Sequence, residues 1–339
     1  IIHVNYRDIF NSPTLKNDLE VWVGAKNNTY QKVEFDNDII NLKKEGLITE
    51  TEDYIAVYGK DDIIIRQKEK DAFAQELIKK GNKVLKICGK IPFIKFIGVS
   101  GSVAANNPAL DKKGHVDLDL FVISSKNTLW IIFFLERLIK NLIRLIYGNH
   151  FYCFNFVTDE SFLEINNKNF FTATELVNLK PIVNKGIYNT FITHNTWYKL
   201  FYNDESIKYS KEVRSARNPL FAILIPINYA YYILFSLLRG LKKKSIRSAF
   251  DFTGGFNPQR GNNLKRISSP NGGYQQMIKA KFEQLLQTNF IDYYSKELVS
   301  SLFSNQHLSF SSKRREADYL TLEEKFDKYH LAQYEESTI

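Results

Sequence analysis

Residues 93 to 123, FIKFIGVSGSVAANNPALDKKGHVDLDLFVI, constrain the fold of this chain more than any other stretch. Phe93 to Val99 is rich in aromatic and β-branched residues and predicts a strand, which Gly101-Ser102 brings to an end. Val116 to Ile123 predicts a second strand. Successive side chains of a strand point to opposite faces, so Asp117 and Asp119 share one face while Val116, Leu118 and Leu120 face the core. Gly101 permits close backbone approach and Ser102 offers a hydroxyl. Val103-Ala104-Ala105 can then open a helical turn whose free N–H groups suit an anion. Two carboxylates on one face suit Mg²⁺, which takes one or two of them and completes its shell with phosphate oxygens and water. Taken singly, a Gly-Ser turn and a pair of aspartates on an edge strand are ordinary features. Their combination in these strand contexts points to phosphoryl-type chemistry.

The flanking pattern extends the same unit. A charged helix is expected from Gln67 to about Lys86, with Phe73, Leu77, Ile78 and Val84 on its apolar side. Asn127 is placed to cap an apolar helix over Thr128 to Tyr147, with Glu136, Arg137, Lys140 and Arg144 on its exposed stripe. Phe151 to Val157 predicts a third strand. Helix, strand, loop, strand, helix, strand implies an α+β domain whose functional loops sit at strand ends. At 339 residues the chain exceeds one compact core. The expected division is 1–65, 66–204 and 205–339.

Residues 6 to 60 read as two helices and a hairpin. Ser12-Pro13-Thr14 opens the first helix, Val33 to Glu45 forms the second, Gly46 stops it, and Leu47 to Tyr58 folds back on itself. The order suggests a winged-helix-like unit. Its second helix carries Glu34, Asp36, Asp38 and Glu45 against Lys43 and Lys44, and its hairpin tip carries Glu50, Glu52 and Asp53. These acids would repel phosphate, which favours packing or protein contact over duplex DNA.

Forty-six Lys and Arg against 37 Asp and Glu give a net charge of +9. Residues 205–267 hold twelve of the cations and only three acids, Glu205, Glu212 and Asp251. Inside that region the uncharged stretch Pro219 to Leu238 is followed by Arg239, Lys242, Lys243 and Lys244. It is long enough to span a bilayer. Pro219, Pro226, Asn228, Ser236 and three tyrosines favour instead a buried or interfacial helix, and peripheral contact with an anionic membrane, or another anionic partner, through 205–267 is expected. Residues 249 to 273 read as a flexible glycine-containing loop, and Tyr274 to Leu286 as a helix, with a charged tail from Lys313. Only two cysteines, Cys88 and Cys153, are present, which excludes a disulfide scaffold and a CxxC-type metal cluster. With no signal-peptide pattern after Ile1, a cytoplasmic location is expected.

The block GSVAANNPALDKKGHVDLDLF resembles the signature of the polymerase-beta-type nucleotidyltransferase superfamily: an apolar strand, Gly-Ser or Gly-Gly, a loop, then Asp-x-Asp between apolar residues. Fourteen residues separate Ser102 from Asp117, slightly long for that signature. The segments IPF, FYCFNF, FFTATELVNLKPI and FITHNTW are similar to those of bacterial and archaeal nucleotidyltransferase-domain proteins of unassigned substrate, and the resemblance covers about residues 5 to 204. It implies a nucleotidyltransferase fold, a mixed sheet with flanking helices, followed by a helical C-terminal region. It implies Mg²⁺-dependent transfer of a nucleoside monophosphate from an NTP to an unidentified acceptor, with release of pyrophosphate. Gly101 and Ser102 would hold the β and γ phosphates, and Asp117 and Asp119 would bind two Mg²⁺ ions. Active members carry a third carboxylate on a later strand, where this chain offers Asn155. An amide oxygen can ligate a metal but is no general base at neutral pH. Asp159, Glu160 and Glu175 are substitutes to consider, and Lys126, Lys180 and Lys185 are candidates to neutralise a triphosphate. His115 reads as a loop residue, and Trp197 and Phe170-Phe171 as core. The alternative is a catalytically degenerate nucleotide-binding or protein-interaction module on the same fold.

Overall fold

The computed structural model describes residues 1–23, 32–109, 116–147, 152–207, 221–242, 266–268 and 272–289. The chain opens with α1 (Ile2–Asp8), β1 (Thr14–Leu15), α2 (Lys16–Val23), α3 (Lys32–Lys44), β2 (Ile48–Glu50) and β3 (Tyr54–Val57). The three strands form an antiparallel sheet in the order β1-β3-β2. Gly46, with φ +69°, ends α3, and the Leu47 N–H returns to the Leu42 carbonyl to close the last turn. Ser12-Pro13-Thr14 does not open a helix as expected. Thr14 and Leu15 pair with Ile55 and Tyr54, and the helix starts only at Lys16. A fully buried, β-branched Thr14 is better placed extending the sheet than in a first helical turn. The short helix α1 was not foreseen.

The 28-residue α4 (Asp61–Cys88) leads into β4 (Ile94–Ser100), the single turn α5 (Gly101–Ala104), β5 (Leu118–Ser124), α6 (Leu129–Tyr147) and β6 (Tyr152–Asp159). Then follow α7 (Phe170–Asn178), β7 (Lys180–Asn184), α8 (Tyr188–Thr193), α9 (Phe221–Lys242), β8 (Arg266–Ser268) and α10 (Gly272–Asn289). The second sheet runs β7-β4-β5-β6-β8. β5 and β6 are parallel, as a crossover through α6 allows, and all other pairs are antiparallel. The class is thus α+β, with a mixed sheet and flanking helices.

Two local expectations need correction. Within 249–273, taken as a loop, Arg266–Ser268 forms a strand with Ile267 opposite Val157, and Gly272 opens α10; the rest of that stretch lies outside the described residues. An apolar, β-branched Ile267 covers what would be the open edge of β6. Glu136 is buried instead of exposed, because it shares the face of α6 that Leu129 and Ile132 turn to the sheet, near Tyr152 of β6; Phe134, Arg137 and Leu138 are exposed.

Alternation along β5 divides the core. Leu118, Leu120 and Val122 face one side, where Ala74, Leu85, Trp130 and Tyr232 complete a cluster. Phe121 and Ile123 face the other, with Phe170, Leu176 and Phe191. That second cluster continues through Tyr6, Trp22, Phe35 and Ile55 of the N-terminal elements to Phe282 of α10. Phe170 is its junction: its ring stacks on Tyr202 at 5.7 Å and on Phe282 at 6.1 Å, and meets Tyr6 edge-on at 4.9 Å. Phe170→Ala is expected to cost about 3–5 kcal/mol in urea unfolding. A loss well below about 1 kcal/mol would show that this junction does not hold the elements together.

Candidate functional site

Antiparallel pairing of β4 with β5 sets Ser100 opposite Asp119, so the end of one strand and the start of the other coincide. This brings Gly101 and Ser102 beside Asp117 and Asp119. Asp117 directly precedes the first residue of β5, and the residues from 117 to 120 alternate between half-buried aspartates and buried leucines. Gly101 has φ +66°, and a Cβ there would lie 2.5 Å from Asp119 Oδ2. Any other residue would therefore be strained and would displace the carboxylate. The half-buried Ser102 holds the Asn107 N–H on its carbonyl at 2.8 Å, while its hydroxyl makes no hydrogen bond with a described residue.

The site also contains Glu175. The Asn169 side chain caps α7 by accepting from the Thr172 N–H at 3.0 Å, and the helix lies on the face of β5 that carries Asp119. Glu175 is half-buried there, and its Oε2 accepts a hydrogen bond from the Gly101 N–H at 3.2 Å. Burial pushes its carboxyl up to about 7; the Gly101 N–H opposes that shift, and the charge of Asp119 adds to it. Asp119 is itself raised to about 6, first by burial and then by the negative charge of Asp117. Asp119 thus feels the charge of Asp117, and Glu175 that of Asp119, at one end of the sheet. Glu175 is the lone acid in the otherwise uncharged helix FFTATELVN, a signal visible in the sequence but shared there with Asp159 and Glu160.

Those two acids sit elsewhere. Asp159 is buried and accepts from the N–H of Asn127 and from both the N–H and hydroxyl of Ser161, while Glu160 accepts from the Lys126 N–H. Both fix turns at the opposite end of β5. Lys126 lies at that far end too, and Lys185 bonds to Ile91 and Lys95 beside the start of β4. Neither can reach a triphosphate at Gly101, because a whole strand separates them from it. Lys180 opposes Val99 at the correct end and donates to Asn106 Oδ1. On β6 the register sets Cys153 opposite Asp119, and Asn155 falls where the ladder shifts between Leu120 and Phe121. His115 lies outside the described residues. Phe170 and Phe171 are core, and Trp197 packs against it.

Asp119 fits a hard divalent cation. It is half-buried, stands beside a second aspartate, and no described residue donates a hydrogen bond or ion pair to its carboxylate. Among the described residues no group of three His, Cys, Asp or Glu side chains converges in metal-holding geometry. The donor set therefore suits Mg²⁺ shared between Asp117, Asp119 and ligand oxygens, and not an all-protein cage.

A polar cavity of about 190 Å³ lies past the far end of α5, lined by Arg7, Asp18, Gln67, Asp71, Asn106 and Lys180 among others. The buried Arg7 donates to Ser12 Oγ at 2.7 Å and to the Ala105 carbonyl at 2.9 Å, and Gln67 donates to the Asn106 carbonyl at 2.6 Å. Lys70 and Phe10 hold Asn107 from the side chain inward. The N-terminal elements and α4 thereby fix the segment that leaves the Gly101-Ser102 turn.

Glu175 makes stability depend on pH. Its folded-state value of about 7 lies above the ordinary 4.5, so the folded chain holds a proton that the unfolded chain releases. Its stabilising contribution is complete below about pH 4.5 and is lost as pH rises through about 7. Glu175→Gln in metal-free buffer should flatten the fall in stability across this window, and should be more stable than wild type at alkaline pH by on the order of 2 kcal/mol. Urea midpoints across pH provide the check; an unchanged slope would show that Glu175 stays ionised. Comparison with protein families, curated proteins and solved structures finds no match to this chain, so its site rests on its own residues.

Proposed function

We propose that this chain is a Mg²⁺-dependent nucleotidyltransferase that moves a nucleoside monophosphate from an NTP to an acceptor and releases pyrophosphate. The observation that carries this reading is the abutment of Gly101 and Asp119, with Asp117 alongside, at the paired ends of two antiparallel strands. The succession β4, α5, β5, α6, β6, with β5 and β6 parallel, agrees with the nucleotidyltransferase fold that the sequence resembles.

In the transfer the acceptor oxygen attacks the α-phosphorus, the bond from that phosphorus to the bridging oxygen breaks, pyrophosphate leaves with the bond's electrons, and the proton of a hydroxyl acceptor passes to solvent water. Ser102 offers a hydroxyl to the terminal phosphates, and Gly101 lets them approach the backbone. Asp117 and Asp119 would hold Mg²⁺, which would supply positive charge against the phosphates. Glu175 has the proton affinity of a base near neutral pH, but its Oε2 is engaged by Gly101. We assign it a positioning role, fixing the glycine against which Asp119 rests.

The N-terminal order α1, β1, α2, α3, β2, β3 with sheet order β1-β3-β2 supports a winged-helix reading. Glu50 is paired with Lys16 and Lys43 at the hairpin, and buried side chains of this unit join the main core. Both features favour a packing role over duplex binding.

A second reading, nucleotide binding without turnover, is favoured by one observation: the Gly101 N–H, a donor a phosphate could use, is already held by Glu175. Calorimetric titration with the four NTPs, with and without Mg²⁺, tests both. Metal-dependent binding and pyrophosphate release should occur in wild type, and turnover should fall by at least about a hundredfold in Asp119→Asn. Binding without pyrophosphate release would select the second reading, and no binding of any NTP would end both.

A further inference from the structure

Helix α9 is built inside out. A surface helix of a water-soluble fold turns its polar side chains outward. Here the polar residues face the protein: Asn228, Tyr232 and Ser236 are buried. Asn228 Oδ1 accepts from the Trp130 N–H in the first turn of α6 at 2.8 Å, and the Tyr232 ring lies 5.0 Å from that of Trp130. Phe235 packs on Trp130 and Phe133, with the Arg137 guanidinium 5.1 Å above its ring.

The opposite face is apolar throughout. Every exposed residue between 223 and 238 is Ile, Leu, Ala or Pro. Ile223, Ile227, Leu234 and Leu238 are 67%, 54%, 52% and 56% exposed, and they follow one another at helical spacing. Phe134 and Leu138 add exposed apolar surface on the neighbouring α6. A contiguous patch of this kind marks an interaction surface.

We infer that this face lies in the headgroup and upper acyl region of an anionic lipid surface, with α9 parallel to the membrane plane. Two observations choose this partner. In sequence Leu238 is followed at once by Arg239 and then by Lys242, Lys243 and Lys244, within a region of twelve cations and three acids, so anionic headgroups are met by excess positive charge. Among the described residues of α9, no exposed side chain is one of the Trp, Tyr or Arg anchors typical of protein interfaces: the rings at 231, 232 and 235 pack on α6 and Tyr229 is half-buried. A second copy of the chain would bring the same cation excess against itself. Among the described residues no helix is long and apolar enough to cross a membrane, in keeping with a helix that lies on one. The inference is independent of the nucleotidyltransferase reading.

The test is co-sedimentation of the full chain with phosphatidylcholine vesicles, with and without phosphatidylglycerol. Wild type should bind the anionic vesicles, lose most binding on neutral ones or in high salt, and be released by a high-salt wash. Ile227→Ser/Leu234→Ser/Leu238→Ser removes exposed methyls only and should reduce binding by at least about tenfold with an unchanged melting temperature. Lys242→Glu/Lys243→Glu/Lys244→Glu should abolish the preference for anionic lipid. Failure of wild type to bind, or undiminished binding by the triple serine variant, overturns the inference. So does retention through an alkaline carbonate wash, which would mark an integral segment. Wild-type self-association that the serine variant abolishes would assign the face to a second copy instead.

Discussion

The contact between Gly101 and Asp119 governs the geometry of everything around it. A carboxylate rests where a side chain would otherwise be, and this requires a residue without Cβ in the left-handed region at the point where β4 ends. From that contact follow the one-turn helix that leads the chain away, the burial of Asp119 under α7, and the place of Glu175, whose oxygen takes the glycine N–H. The raised proton affinity of both acids is the electrostatic consequence of crowding negative charge where water is scarce.

Local pattern carried much of the fold. The strands at 94–100, 118–124 and 152–159 and the helix at 32–44 announce themselves through alternation, β-branching and the stop at Gly46, because these are properties of a few adjacent residues. What local pattern could not carry was pairing. Thr14 looks like a helix opener until β3 is beside it, and Arg266–Ser268 looks like loop until β6 supplies a partner. Glu136 reads as exposed on its own helix and is buried on the side that faces the sheet.

The site divides along the same line. Gly101, Ser102, Asp117 and Asp119 were legible because one strand pair holds them all. Glu175 was not separable from Asp159 and Glu160, since choosing among three acids requires knowing which end of the sheet each one reaches. The lysines obey the same rule: of the three considered, only Lys180 lies beside Val99. Loop residues 105 to 107 are fixed from outside by Arg7, Gln67 and Lys70, a dependence written in no single segment.

Helices α1 and α10 meet through Tyr6 and Phe282, whose rings are 5.8 Å apart. The first described helix is therefore partnered by the last described one. Until α10 has been made, Tyr6 has Phe10 and Phe170 against it but lacks the Phe282 ring, so this part of the core stays incomplete. Such long-range closure slows folding and exposes intermediates to aggregation. Chains that stop short of α10 should thus depend on chaperones more than chains that include it.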